Sequence, residues 1–421
     1  MFALADLNKF YASILRAFIP ELEGKPIIVL SNNDGCSICQ TKEAEKLGIK
    51  MGDKIFEGDK KLIVERNNIA VFSTNFPLIA DISLRVKSIM RKFCYSIEDY
   101  SIDELFLDFR GFDVKETEQM CRDLVHIIKK GIGLPLSIGV APTKTLAKTA
   151  CKFAKKYKGY EGVCIIDNEE KREKALKLTK VEDIWGIGYK YTKKLNKYGV
   201  HTAFDLTQKP SAWIRKEMTV VGLRTYMELL GTPCIDMELE APPKKNIMVS
   251  RSFGTNIPDI KTISEALITY ECMGASKLRS QQSNAKSLYL FLQTNPFRED
   301  LPQYSRSIVM HMPNATNSSI EIARYVREGL KLIYKPGYQY KKAGVMMMNI
   351  SDSNSVQLNL FDSIDRGKHI RLMETVDKLN NRFGKNTVSL SAQGDRKKWW
   401  IKQEKLCPCW TTRWNDLPMA M

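Results

Sequence analysis

The sequence predicts an α+β chain of several domains, and three observations carry that reading. Its 421 residues are enough for two to four domains with sizeable cores. Short apolar segments of strand length, residues 1–7, 100–108 and 135–141, alternate with longer amphipathic stretches. Pro233 to Asn246, proline-rich, charged and without periodicity, reads as a linker to a second pattern of strands and helices. A hydrophobic content of 43% and an aromatic content of 9% make all of this globular rather than disordered.

The stretch Tyr100 to Asp108 organises the first half. Its apolar residues fall at even positions on one side, Tyr100 and Ile102, and at odd ones on the other, Leu105, Leu107 and Phe109. A strand alternates faces with period two, so the change of parity predicts a turn or bulge near Asp103 and Glu104. Two adjacent carboxylates at such a junction must reach water, find cations or bind a metal. For this pair alone, a solvated acidic hairpin tip and a cation site both stay open.

Met1 to Leu7 reads as a buried strand interrupted by Asp6, with Asn8 expected to cap a helix through Phe10, Tyr11 and Ile14. Asp6, Asp103 and Glu104 then form a three-carboxylate set drawn from two apolar segments. Hard cations such as Mg²⁺ take oxygen ligands, and a two-metal site for phosphoryl transfer needs several converging carboxylates.

Charge narrows the partner. Lys and Arg number 65 against 48 Asp and Glu, a net +17, which favours a polyanion, either nucleic acid or an acidic membrane surface. No uninterrupted apolar segment is long enough for a bilayer and no signal-peptide pattern opens the chain, so the expectation is nucleic acid in the cytoplasm, at the nucleoid, with no membrane. The ten cysteines are scattered and suit reduced, unlinked thiols. The pairs Cys36/Cys39 and Cys407/Cys409 lie too far apart along the chain, and lack the flanking pattern, for a zinc knuckle. The four histidines have no ligand spacing.

Three ordered segments resemble the motifs of Y-family translesion DNA polymerases: Met1 to Ser13, Tyr100 to Glu104, and Ser137 to Lys148. Ser31 to Cys36 and Gln357 to Phe361 are similar to the family's UmuC-type members, and the likeness runs over nearly the whole chain. The resemblance implies a right-hand fold: an antiparallel-sheet palm (1–11 and 76–166), small fingers (12–75) and a helix-hairpin-helix thumb (167–232). A linker (233–246), an α+β little finger (247–350), and a clamp motif with a basic tail (351–421) complete it. It implies that Asp6, Asp103, Glu104 and the Leu7 carbonyl bind two Mg²⁺ ions. Tyr11 would be the steric gate against ribonucleotides. Phe10 and Lys155 would serve the triphosphate, as would Lys42, although Glu45 stands where many members carry an arginine.

The basic helix Lys144 to Tyr157, capped by Thr143, is expected to offer Lys144, Lys148, Lys152, Lys155 and Lys156 to phosphates. Gly186-Ile187-Gly188 followed by Lys190 resembles a thumb hairpin gripping duplex backbone; an ordinary tight turn is the alternative. Arg251 is a further expected DNA contact. Helices are read at Ile82 to Arg91, Met120 to Lys130, Ile263 to Leu278 and Ile320 to Leu332, and Ser351 to Ser355 as a solvated linker. That linker delivers Gln357, Leu358, Leu360 and Phe361, a sliding-clamp-binding peptide on the resemblance. Arg396 to Trp400 and Trp410 to Trp414 interleave basic and aromatic residues in a way that suits DNA or protein contact.

The reading is error-prone, template-directed DNA synthesis from dNTP on primer-template DNA. The resemblance adds a sliding clamp, a UmuD-type dimer and a RecA filament as partners. The rivals are another palm-bearing enzyme such as a nucleotide cyclase, and a DNA-binding homologue that has lost turnover, which Glu45 favours.

Overall fold

The computed structural model describes residues 1–94, 96–354, 362, 364–395 and 399–417. They form two compact units, Met1–Ala241 with Glu404–Met421, and Pro242–Gln403.

The first unit begins with β1 (Phe2–Leu7), buried at all six positions, and α1 (Phe10–Phe18). A small module follows, with β2 (Ile27–Leu30), β3 (Ser37–Gln40), α2 (Lys42–Lys46), α3 (Gly58–Arg66) and β4 (Ala70–Ser73). Next come α4 (Phe76–Met90), β5 (Ile97–Asp99), β6 (Glu104–Asp108), α5 (Val114–Ile132) and β7 (Leu136–Ala141). After α6 (Lys144–Lys156) and β8 (Val163–Ile165), the unit is helical: α7 (Glu169–Leu178), α8 (Tyr189–Lys197), α9 (Ala203–Thr207) and α10 (Ser211–Leu229).

The main sheet runs β5-β6-β1-β7-β8, with β1 antiparallel to both neighbours. Its central place explains its apolar sequence, because both faces are covered. Ala3, Ala5, Leu7, Leu105, Leu107, Ile138 and Val140 pack with α1, α4 and α5. Leu4, Phe106 and Ala141 pack on the opposite side with α6 and the helices after β8. Helix α6 comes so close that a Cβ on Gly139 would lie 2.0 Å from the Cys151 nitrogen, so only glycine fits there. The small sheet β3-β2-β4 has its own core of Ile28, Leu30, Ala44, Ile49, Ile55 and Ile69.

Several local expectations are corrected. Tyr100 and Ile102 lie in the bend between β5 and β6 rather than in a strand. Asn8 does not cap α1: Lys9, in the left-handed region at φ 50°, precedes it, and Asn8 Nδ2 donates to Ser137 Oγ at 2.8 Å instead. Its side chain ties β1 to β7. Thr143 does cap α6, accepting from the Leu146 amide at 3.3 Å.

The C-terminal segment is built into this unit. Lys405 exchanges hydrogen bonds with Ser73, its carbonyl accepting from the Ser73 amide and its amide donating to Ser73 Oγ, both at 2.9 Å. Asn75, the N-cap of α4, donates from Nδ2 to the Cys407 carbonyl at 3.0 Å. Trp410 stacks on Phe18 with ring centres 4.8 Å apart and planes 7° from parallel. Cys407 and Trp410 thus belong to the core, so Trp410 is not an open contact aromatic. All ten cysteines are free thiols.

The second unit is an antiparallel sheet, β11-β10-β12-β9, of β9 (Ile247–Ile257), β10 (Ser283–Thr294), β11 (Ser305–Thr316) and β12 (Tyr340–Asp352). Two helices, α11 (Ile260–Ser280) and α12 (Ser319–Ile333), fill its core. Strand β12 extends through Ser351 and Asp352, paired with Asn284 and Ser283, so those residues are not a solvated linker. A last helix, α13 (Arg366–Phe383), is held by Arg279, whose guanidinium grips Asp377 at 2.6 and 2.8 Å. Trp399 is buried edge-on against Tyr270, a second tail aromatic that serves packing. Gln357, Leu358, Leu360 and Phe361 lie outside the described residues.

Candidate active site

Period-two alternation puts Asp6 on the same face of β1 as Leu4, and Glu104 on the same face of β6 as Phe106. The register makes Asp6 and Glu104 direct cross-strand partners. Both line an open cavity of about 270 Å³, together with Leu4, Lys148, Lys155 and Trp185. Asp103 sits in the preceding bend, where its carbonyl accepts from the Leu7 amide at 3.0 Å. Ser101 shapes that bend. Its hydroxyl accepts from the amides of Asp103 and Glu104, at 3.2 and 3.0 Å, and donates to Asp103 Oδ1 at 2.6 Å.

Helix α6 supplies the countercharge. Lys155 pairs with Asp6. Lys148 reaches both oxygens of Glu104, at 3.0 and 3.1 Å, and lies 4.3 Å over the Tyr100 ring. Lys152 pairs with Asp183 at 2.5 Å. Lys144 is only 1% exposed and pairs with Glu98 at 2.5 Å, which removes it from the phosphate-facing row expected of it. The spacing of the lysines along one helix face was legible; that Lys144, Lys148, Lys152 and Lys155 each meet a carboxylate of their own unit was not, and Lys156 instead lies over the Tyr157 ring.

These partners set the titration of the site. Burial pushes the Asp6 carboxyl up to about 7; Lys155 pulls it back, and Glu104 and Asp103 push it further up. For Lys155 burial works against the ammonium, but Asp6, Cys151 and Glu104 together outweigh it and the pKa is raised. Tyr11 is half-buried on α1, and its phenol is raised by burial and then by the nearby Asp103. Phe10 is buried in the core. The Cys39 thiol, raised mainly by burial, rests on the amides of Ala12 and Tyr11 in the first turn of α1.

The remaining expected residues lie apart from the cavity. Lys42 is exposed at the start of α2. On that helix Glu45 pairs with Lys9 and Glu43 with Arg16. Gly186 adopts φ 88° in the turn before α8, Gly188 is the helix N-cap, and Lys190 is exposed in the first turn. Arg251, on β9 of the second unit, lines a cavity with Lys277 of α11. Sequence reasoning passed over Ser101, Asp183 and Trp185; only Ser101, inside the acidic motif, carried a signal.

Among the described residues no three His, Cys, Asp or Glu side chains are gathered closely enough to hold a metal ion. The donor chemistry nevertheless fits hard divalent cations. Asp6 and Glu104 supply carboxylate oxygen to one cavity, and each already holds a lysine ammonium. No helix among the described residues is long and apolar enough to cross a membrane.

The impB/mucB/samB family matches residues 5–152, and its C-terminal domain matches residues 244–360. DUF4113, a domain of unknown function, matches residues 370–420. The chain is 39% identical to Protein ImpB of Salmonella typhimurium over 100% of its own length and 99% of that protein's. It is 38% identical to Protein UmuC of Salmonella typhimurium strain LT2, covering 99% of each. Among solved structures it is similar to a Y-family DNA polymerase chimera, Dbh-Dpo4(243-245)-Dbh, with TM-score 0.65 and 19% identity over 84% of this chain and all of that one. DinB from Sulfolobus solfataricus gives 0.51 at 21% identity, again over 84% and 100%. With Asp6 and Glu104 paired across the adjacent strands β1 and β6, the fold of the Y-family chimera, and 38–39% identity to ImpB and UmuC over essentially their whole lengths, the chain belongs to the impB/mucB/samB family, which includes UmuC-like proteins.

Proposed function

We propose that this chain copies DNA across damaged template positions, adding nucleotides from dNTP to a primer 3′-hydroxyl with low fidelity. The observation that carries the reading is the Asp6–Glu104 pair facing one cavity, with Asp103 at the same bend and Tyr11 beside it. Asp6, Asp103, Glu104 and the Leu7 carbonyl would hold two Mg²⁺ ions, which when bound neutralise phosphate charge and activate the attacking hydroxyl. Around them the chain's own groups position the reactants. The Tyr11 ring lies under the sugar and leaves no room for a 2′-hydroxyl. Lys155, freed from Asp6, meets the triphosphate, and the first-turn amides at Phe10 offer it hydrogen bonds. Lys42, at the start of α2, is a further cation on the same route.

The proposed organisation is a palm (1–11 and 76–166) bearing the main sheet, fingers (12–75), a thumb (167–232), a linker (233–246), a little finger (247–350) and a C-terminal region (351–421). Gly186, Gly188 and Lys190 approach the duplex backbone, and Arg251 adds a phosphate contact. Gln357, Leu358, Leu360 and Phe361 dock on a sliding clamp. A UmuD-type dimer and a RecA filament assist, in the bacterial cytoplasm at the nucleoid.

The rival of a DNA-binding homologue without turnover rested on Glu45 repelling a triphosphate. The Lys9 ammonium on Glu45 answers that charge. Primer extension on undamaged and lesion-bearing templates separates the two readings, since a binding-only homologue retards the DNA but adds nothing. In the same assay Tyr11→Ala admits ribonucleotides, with discrimination against them falling by at least ~10²-fold, the scale of a removed steric contact in a tight site. Unchanged sugar selectivity would remove the gate. Deleting residues 357–361 lowers synthesis with the clamp and spares synthesis without it; equal losses in both would reject the docking role.

A further inference from the structure

The second unit contains a larger cavity than the catalytic one, about 480 Å³, within the range of small-molecule sites. One wall is β9 and α11. The other is α13 and residues 384–393, which fall in the matched domain of unknown function. That second wall is firmly built. Arg279 holds Asp377 with two short bonds. The Asn380 amide closes the loop, donating to the Val388 carbonyl at 2.9 Å and accepting from its amide at 2.8 Å. The buried Gln393 accepts from the Leu390 amide at 2.8 Å.

The charge of the lining is one-sided. Arg251, Lys277 and Lys385 all face the cavity, and the one lining carboxylate among the described residues, Asp377, is taken by Arg279. Among the described residues no carboxylate pairs with Arg251, Lys277 or Lys385. The Lys277 ammonium is lowered by burial and then by Lys244, Arg251 and Lys385 around it. Like charges gathered on this exposed rim repel one another, and a bound anion would relieve that repulsion. The rest of the lining is of another kind, with Met273, Met373, Val376 and Leu390 beside the amides of Asn381 and Asn386. A cationic rim next to an apolar, amide-bearing wall suits a phosphate attached to a flat heterocycle.

We propose that this cavity binds a nucleotide: its phosphate against Arg251, Lys277 and Lys385, its base against the methionine and valine wall. A free mononucleotide and the exposed terminal nucleotide of a DNA strand present the same chemistry. The C-terminal helix thereby acquires a chemical task, since without it the site has one wall.

The test is lysine acylation of the full chain read residue by residue by mass spectrometry, in EDTA so that no divalent metal serves the catalytic cavity. The probes are dADP, a 5′-phosphorylated oligothymidylate and deoxyadenosine. The expected result is a severalfold slowing at Lys277 and Lys385 with a phosphate-bearing probe and none with deoxyadenosine. Protection by dADP identifies the free nucleotide as the source, and protection by the oligonucleotide alone identifies the strand terminus. Lys385→Gln, on an exposed loop where folding is not at stake, is expected to weaken protection of Lys277 about tenfold, one lost charge-assisted contact. No protection by either phosphate probe at millimolar concentration overturns the site. So does protection spread evenly over the unit's other exposed lysines, or a Lys385→Gln variant protected like the parent.

Discussion

Asp103→Asn lowers nucleotide addition by at least ~10³-fold, the upper scale for removing one electrostatic group from a reaction centre. DNA affinity stays within about twofold, because none of the basic groups expected to meet phosphates is touched. The substitution keeps the bend intact. The Asp103 carbonyl still receives the Leu7 amide, and the Ser101 hydroxyl still holds the turn through the amides of Asp103 and Glu104. Asp6→Asn is a poorer test, since it also takes from Lys155 its carboxylate partner and so changes two charged groups of the site at once. Single-turnover primer extension decides it, with duplex binding measured alongside. Extension at the parent rate removes Asp103 from the chemistry.

The second large effect falls on stability. Lys144 Nζ donates to Glu98 Oε2 and, at 3.1 Å, to the Asp236 carbonyl; it also lies 4.5 Å from the Phe106 ring centre. Glu98 Oε2 accepts from the Glu238 amide as well, at 2.8 Å, so the pair fastens residues 236–238 to the sheet. Lys144→Met keeps the length of the side chain and leaves Glu98 a buried charge with one amide partner. Breaking one half of such a pair costs about 3–5 kcal/mol. For a unit of this size that lowers the melting temperature by roughly 10 °C. The double variant Lys144→Met/Glu98→Leu regains most of the loss, because the uncompensated charge has gone. A single variant melting within about 2 °C of the parent would show the pair to be open to water.

The acidic motif and the central strands were legible because their signals are local. A six-residue apolar run broken only by Asp6 has few uses other than a central strand, and the parity change around Asp103 marks a turn whatever packs against it. The structure adds what depends on tertiary neighbours. The lysines of α6 read as a phosphate-facing row, yet the partners of four of them, Glu98 and Glu104 from the β5–β6 hairpin, Asp183 and Asp6, come from three separate stretches of chain. Asn8 has the chemistry of a cap, but Ser137 on the adjoining strand claims it. Strand β12 carries the run Val345 to Met348 without polar alternation, because pairing on both edges and helix cover on one face relax that pattern. The tail tryptophans resemble nucleic-acid stacking platforms; Trp410 and Trp399 instead complete two hydrophobic interiors.

Because the polypeptide leaves the first unit after Ala241 and re-enters it at Glu404, the second unit is spliced into the first rather than hung from its end. An excursion moored at both ends has far fewer accessible arrangements than a pendant one, and the two moorings raise each other's local concentration. One nick near residue 241 would therefore not set the second unit adrift. Losing residues 404–421 would free one mooring and, in the same stroke, uncover Phe18 and the start of α4. Late frameshifts in such a chain thus act on the interior that α1 and α4 share with the main sheet, far along the chain from the point where the message is cut short.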